Sequence, residues 1–156
     1  MYTGLLHLHN LGRWALLVLL IMAIYKSFTG MTGNKLFANS DKKIALFLMI
    51  TAHTMLLVGL YQWFAGPWGL NNIKNLGMGV VMKDSVYRFW AVEHFAGMLI
   101  GIILITIGRG SFRKPITDKA KHSRSFKLYL IAFIIIFASV PWPWREVARP
   151  LFPGMH

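Results

Sequence analysis

Four apolar runs decide what this chain can become. They cover about residues 5–28, 44–64, 87–108 and 126–142, each about 17 to 24 residues long. At 1.5 Å per helical residue, a run of this length spans a hydrocarbon core of ~30 Å. A backbone in lipid has to satisfy its own hydrogen bonds, so each run must be a helix unless the chain closes into a barrel. Only 14% of the residues are charged, against ~25% in soluble domains, and most of them lie between the runs. The expected fold is all-α and integral to the membrane. It is a single domain, a four-helix transmembrane bundle of up-down-up-down topology, lying against the lipid bilayer.

The connections set the orientation. Eleven basic residues fall on one side: Lys26, Lys35, Lys42 and Lys43 between the first two runs, and Arg109, Arg113, Lys114, Lys119, Lys121, Arg124 and Lys127 between the last two. The other side holds five: Lys74, Lys83, Arg88, Arg145 and Arg149. The positive-inside rule then places both termini on the outer side of the membrane and the eleven-charge connections in the cytoplasm. This patterning also accounts for the formal charge of +12, so no nucleic-acid partner is expected. The second basic connection reads as a solvated loop suited to anionic lipid, with His122 as one of its solvated members. There is no Cys, which excludes disulfides, thiolate metal ligands and covalent c-type haem attachment. The segment MYTGLLHLHN lacks a basic start and a small-residue cleavage site, so the first helix is expected to be retained.

Two asymmetries single out the outer half. All six Trp (Trp14, Trp63, Trp68, Trp90, Trp142 and Trp144) fall toward it, whereas an ordinary aromatic belt decorates both interfaces. The histidines share the bias. His7 and His9 begin the first helix, His94 lies ~10 Å deep in the third and His53 ~16 Å deep in the second. Ionisable groups at such depth are expensive and usually have a partner and a purpose. Glu93 directly precedes His94. Arg13 follows His9 by four residues and shares its face; it needs an anion, with Glu93, a lipid phosphate and a cofactor carboxylate as candidates. Gly97 and Gly101 follow His94 on one helical face, where either another helix or a flat cofactor can approach.

Three readings fit these residues. The first is a haem b site, which needs imidazoles from facing helices, small residues beside the macrocycle, aromatic walls and cations for the propionates. His94 pairs with His9 across the bundle diagonal or with His53 on a neighbouring helix. Gly97, Gly101 or Gly59 gives room, and Arg13 and Arg88 supply charge. The second is copper or zinc held by imidazoles from His7 and His9 together with His94 or His53, with Met49, Met55 or Met98 softening the site for cuprous ion. The third is an accessory or assembly subunit, free to form a homo-oligomer, whose histidines make interhelical hydrogen bonds.

The segments LHLHNLGRW, ITAHTMLLVGLYQWF, RFWAVEHFAGMLIGIILITIGR and FASVPWPW resemble a family of small bacterial four-helix membrane proteins, some of them labelled cytochrome b-like. The resemblance covers nearly the whole chain and implies a haem b protein. VEHFAGMLIGIILITIGR is also similar in style to the ligand helix of haem A synthases. There, residues separate the Glu from the His, and the chain is about twice as long; this likeness implies a related bundle and not the synthase activity. The expected role is electron transfer or haem handling beside a quinol, a respiratory complex or another redox partner. No nucleophile, carboxylate pair or phosphate loop assigns a catalytic role.

Overall fold

A computed structural model describes residues 2–152. The described residues are helical with no strand, and four stretches are long and apolar enough to cross a membrane. These stretches make the chain a multi-pass membrane protein by length and composition. The first span is α1 (Tyr2–Thr32) and the second is α2 (Asn39–Ala65). Three short helices follow, α3 (Leu70–Leu76), α4 (Met78–Lys83) and α5 (Ser85–Arg88). A π-helical turn (Phe89–Glu93) leads into α6 (His94–Arg109), which completes the third span. A 3-10 turn (Gly110–Arg113) then joins α6 to the fourth span, α7 (Asp118–Ser139).

The helices exceed the apolar runs at both basic connections. α7 begins at Asp118, eight residues before the run at 126, because the Thr117 hydroxyl caps it by accepting from the Ala120 N–H at 3.3 Å. Much of the supposed loop is therefore helix, and His122 is not solvated. It is 1% exposed, packed against Gly30 of α1 and the ring of Phe37.

Burial follows helical spacing. α7 buries His122, Ser125, Tyr129, Ala132 and Ile136, at intervals of three and four. α2 buries Ala45, Leu48, Ala52 and Met55 in the same way. α1 packs on α2 and α7, and α6 packs on the same two helices. The cyclic order is thus α1, α2, α6, α7, with α1 and α6 on one diagonal. Leu20, Leu48 and Ile105 are fully buried at its centre, while large apolar residues such as Val18, Ile21, Ile103 and Ile134 face outward, as a lipid-solvated surface requires.

Glycines set how closely α6 and α7 approach. A side chain at Gly97 would meet Ser139, one at Gly101 would meet Ile136, and one at Gly108 would meet Tyr129. The Gly97 and Gly101 face is therefore filled by α7 and is not a groove for a flat cofactor. Between the second and third spans, Gly77 adopts φ 80°, a left-handed conformation that glycine adopts without a Cβ penalty. It breaks α3 from α4 and lets Val81 (0% exposed) anchor the connection. The bundle thus has two distinct ends. One carries both chain termini and the tryptophans; the other carries the two basic connections.

Candidate functional site

At the tryptophan end the four spans diverge around a cavity of about 300 Å3, lined by residues of all four. That volume is at the lower end of small-molecule and cofactor sites, ~300–1,000 Å3. The walls are mostly apolar, with Trp63, Trp68, Trp90, Phe95 and Met98 among them. Few polar groups converge on it, and His9 and His94 are two of them.

His9 and His94 meet across the α1–α6 diagonal, their ring centroids 6.3 Å apart and their planes at 68°. Two metal–imidazole bonds of ~2 Å, with each nitrogen about 1 Å from its ring centre, separate two centroids by about 6 Å. The two rings therefore stand at the spacing of a pair sharing one metal ion. His94 is oriented from behind. Its Nδ1 lies 2.7 Å from the Ser139 carbonyl oxygen. A carbonyl only accepts, so Nδ1 carries the proton and Nε2 keeps the lone pair that a ligand needs. Metal-binding histidines are commonly fixed by such a backbone partner. On the opposite side, Gly59 of α2 makes room for the ring of His9, whose Cε1 would stand 3.2 Å from a Cβ placed there. His9 Nδ1 is buried without a hydrogen-bond partner among the described residues.

The sequence places His94 directly after the π-helical turn. One extra residue in that turn changes which face the following side chains occupy, and such turns recur at functional sites. Here the Trp63 indole N–H donates to the Ala91 carbonyl at 2.9 Å and the Trp63 ring stacks on Phe95 at 5.3 Å. The turn thereby ties α2 to α6 beside His94. Trp90 and Phe89 flank the His94 ring, each at 5.8 Å.

The other expected residues lie elsewhere. His53 is exposed on the outer face of α2, and its Nδ1 bonds the Met49 carbonyl of its own helix at 2.8 Å. It stands one position from Ala52 on the buried stripe and so points away from the cavity. His7 is exposed and sits at the cavity rim. Among the described residues no three His, Asp or Glu side chains gather as a metal site, so the all-imidazole copper or zinc set drawn from His7, His9, His53 and His94 does not assemble.

Arg13 finds neither Glu93 nor a free carboxylate. Its guanidinium donates to the carbonyls of Pro150 (3.3 Å) and Leu151 (2.8 Å), and it stacks on Trp14 and Trp142. Trp14 Nε1 also donates to Leu151, and Asn10 donates to Pro150. The tail after α7 is thus folded back across the bundle, and Pro150 and Phe152 close one side of the cavity. Glu93 pairs instead with Arg88 at 2.6 Å on the surface. Arg88 is accordingly turned away from the cavity, and Arg149, overlooked in the sequence, lines it. Its guanidinium lies 4.9 Å from the Trp90 ring centre. Only the fold of the Pro-broken tail brings it there.

If Arg13 is what seats the tail, Arg13→Ala frees it. Hydrogen bonds from a charged group contribute ~1.5–3 kcal/mol, so trypsin cleavage after Arg145, the basic residue of the tail that no proline follows, is expected to accelerate by roughly tenfold or more. Equal cleavage rates in both proteins would show that the tail is held by its tryptophan contacts alone.

No protein-family model matches this chain, and comparisons with curated proteins and with solved structures give no similar protein. The functional reading therefore rests on the geometry of the chain itself.

Proposed function

We propose that the chain is a membrane haem b protein, with His9 and His94 as the residues that would hold the haem and electron transfer or haem handling beside a redox partner as its role. The observation that carries this reading is the His9–His94 pair at 6.3 Å, one ring held by Ser139 in the tautomer that leaves Nε2 free. Haem b, when bound, would supply a one-electron couple. The residues present fit it in kind: two neutral imidazoles from facing helices, aromatic walls, and a cation at the rim in Arg149.

Each residue then has a task. His9 and His94 bind from opposite helices, and their attachment to packed spans limits rearrangement on electron transfer. The Ser139 carbonyl keeps His94 turned inward. Trp63, Trp90 and Phe95 exclude water from the cavity. Arg149 stands where it can balance carboxylate charge, while Arg13 keeps the tail closed. The distribution of basic residues supports a bacterial inner membrane with both termini periplasmic, which puts this site in the outer half.

The test is optical. Protein purified in mild detergent from cells supplied with haem should show a Soret band and a reduced α-band, with about one haem per chain. A colourless protein under those conditions would overturn the proposal, and metal analysis of the same sample would then show whether another ion occupies the pair.

A further inference from the structure

A separate cluster lies at the opposite end of the bundle, where cations outnumber carboxylates. Only two acidic residues, Asp41 and Asp118, belong to that end, and both are engaged. Asp41 pairs with Lys26 at 3.2 Å and Asp118 with Lys121 at 3.0 Å. Three other cations converge on one ring without any acidic partner among the described residues. The Lys42 ammonium lies 5.9 Å from the centre of Phe112, the Arg109 guanidinium 5.6 Å and the Arg113 guanidinium 5.4 Å. They come from different elements: the first turn of α2, the last residue of α6 and the 3-10 turn. The fold thus gathers like charges that the sequence keeps apart.

Attraction to a ring face is weak at an exposed site and comparable to the repulsion between neighbouring charges, so one phenyl ring does not neutralise three cations. Arg109 adds a second sign of an unmet demand, because its Nε is buried with no hydrogen-bond partner among the described residues. Guanidinium groups bind phosphate through paired N–H donors. The location selects the kind of phosphate. Arg109 ends the third span, where a lipid phosphodiester lies, and Ile100, Ile103 and Ile107 of the same helix are exposed at intervals of three and four. They form an apolar stripe running away from the cations toward the middle of the span, suited to acyl chains.

We propose that Lys42, Arg109 and Arg113, gathered around Phe112, bind the phosphate headgroup of an anionic phospholipid. The site uses only the basic end of the bundle and stands or falls separately from the histidine pair. It is a localised site, not a general attraction of basic loops to a charged leaflet. Lipid selectivity should therefore depend on these three positions and not on the number of charges removed.

Native mass spectrometry of the full chain in detergent, titrated with phosphatidylglycerol or phosphatidylcholine, tests this directly. The wild type should retain phosphatidylglycerol in preference to phosphatidylcholine. At about fivefold per basic group near an anionic surface, K42Q/R109Q/R113Q should lose that preference by on the order of 100-fold. The control K119Q/R124Q/K127Q removes three exposed charges from α7 and should keep it. Circular dichroism checks that both variants fold. If the triple variant does not, the single change Arg113→Gln at an exposed position should still weaken retention about fivefold. Equal loss in the two triple variants, or no loss in either, would overturn the proposal. So would displacement of the lipid by inorganic phosphate at matched concentration, because the acyl stripe would then contribute nothing.

Discussion

His94→Ala is expected to lower haem affinity by at least 100-fold and to abolish the reduced α-band. The reason is positional. Second-sphere partners of a metal ligand already carry 10–100-fold effects, and on the proposed reading this substitution removes a ligand itself. His94 is also the ring whose orientation is fixed, through Nδ1 and the Ser139 carbonyl. His9→Ala should weaken binding less, because His94 would remain as a fixed single ligand. The haem retained should be five-coordinate and open to carbon monoxide. Absorption titrations of haem into both purified variants measure this order. A His94→Ala protein with wild-type affinity would remove the residue from the site.

Gly97→Ala has the next largest expected effect, because α7 fills the space beside the residue. A Cβ there collides with Ser139 Oγ and stands 3.0 Å from Ser139 Cβ. The hydroxyl can rotate, but the Cβ belongs to the α7 backbone, so the helix has to move. Overpacking of this kind costs ~1–3 kcal/mol. The movement also carries away the Ser139 carbonyl that holds His94. Thermal unfolding in detergent should show the destabilisation, and haem affinity should fall with it. Ser139→Gly should rescue both, since it deletes the two obstructing atoms and keeps the carbonyl. The remaining neighbour, Ile135 Cγ2, would then sit at an ordinary 3.8 Å. Additive defects in the double variant would disprove this coupling.

The fold was legible because membrane spans announce themselves by length and apolarity. Their ends were less so. Asp118 to Ser125 carries enough charge to resemble a loop, yet it is helical and half-covered by α1 and the α1–α2 connection. The signal was present in the spacing: His122, Ser125, Tyr129, Ala132 and Ile136 make one stripe, and a solvated reading of His122 breaks it. The choice between His9 and His53 was open to the same reasoning. Ala45, Leu48, Ala52 and Met55 define the inner face of α2, and His53 lies beside that face. Depth alone did not exclude it, because it lies only about one turn deeper than His94. The glycines were ambiguous for another reason. Close approach is all that Gly97 and Gly101 encode, and only the packing shows that α7 takes the space. Nothing local in the tail PWPWREVARPLF marks it as a cover for the cavity. Its seat depends on carbonyls of Pro150 and Leu151 meeting Arg13, a contact between the two ends of the chain.

The pairing of His9 with His94 is tested most directly by electron paramagnetic resonance of the oxidised, haem-loaded protein. The expected result is a low-spin, six-coordinate signal in the wild type and in His53→Ala, replaced by a high-spin signal in His9→Ala. A low-spin signal that survives in His9→Ala but disappears in His53→Ala would contradict it.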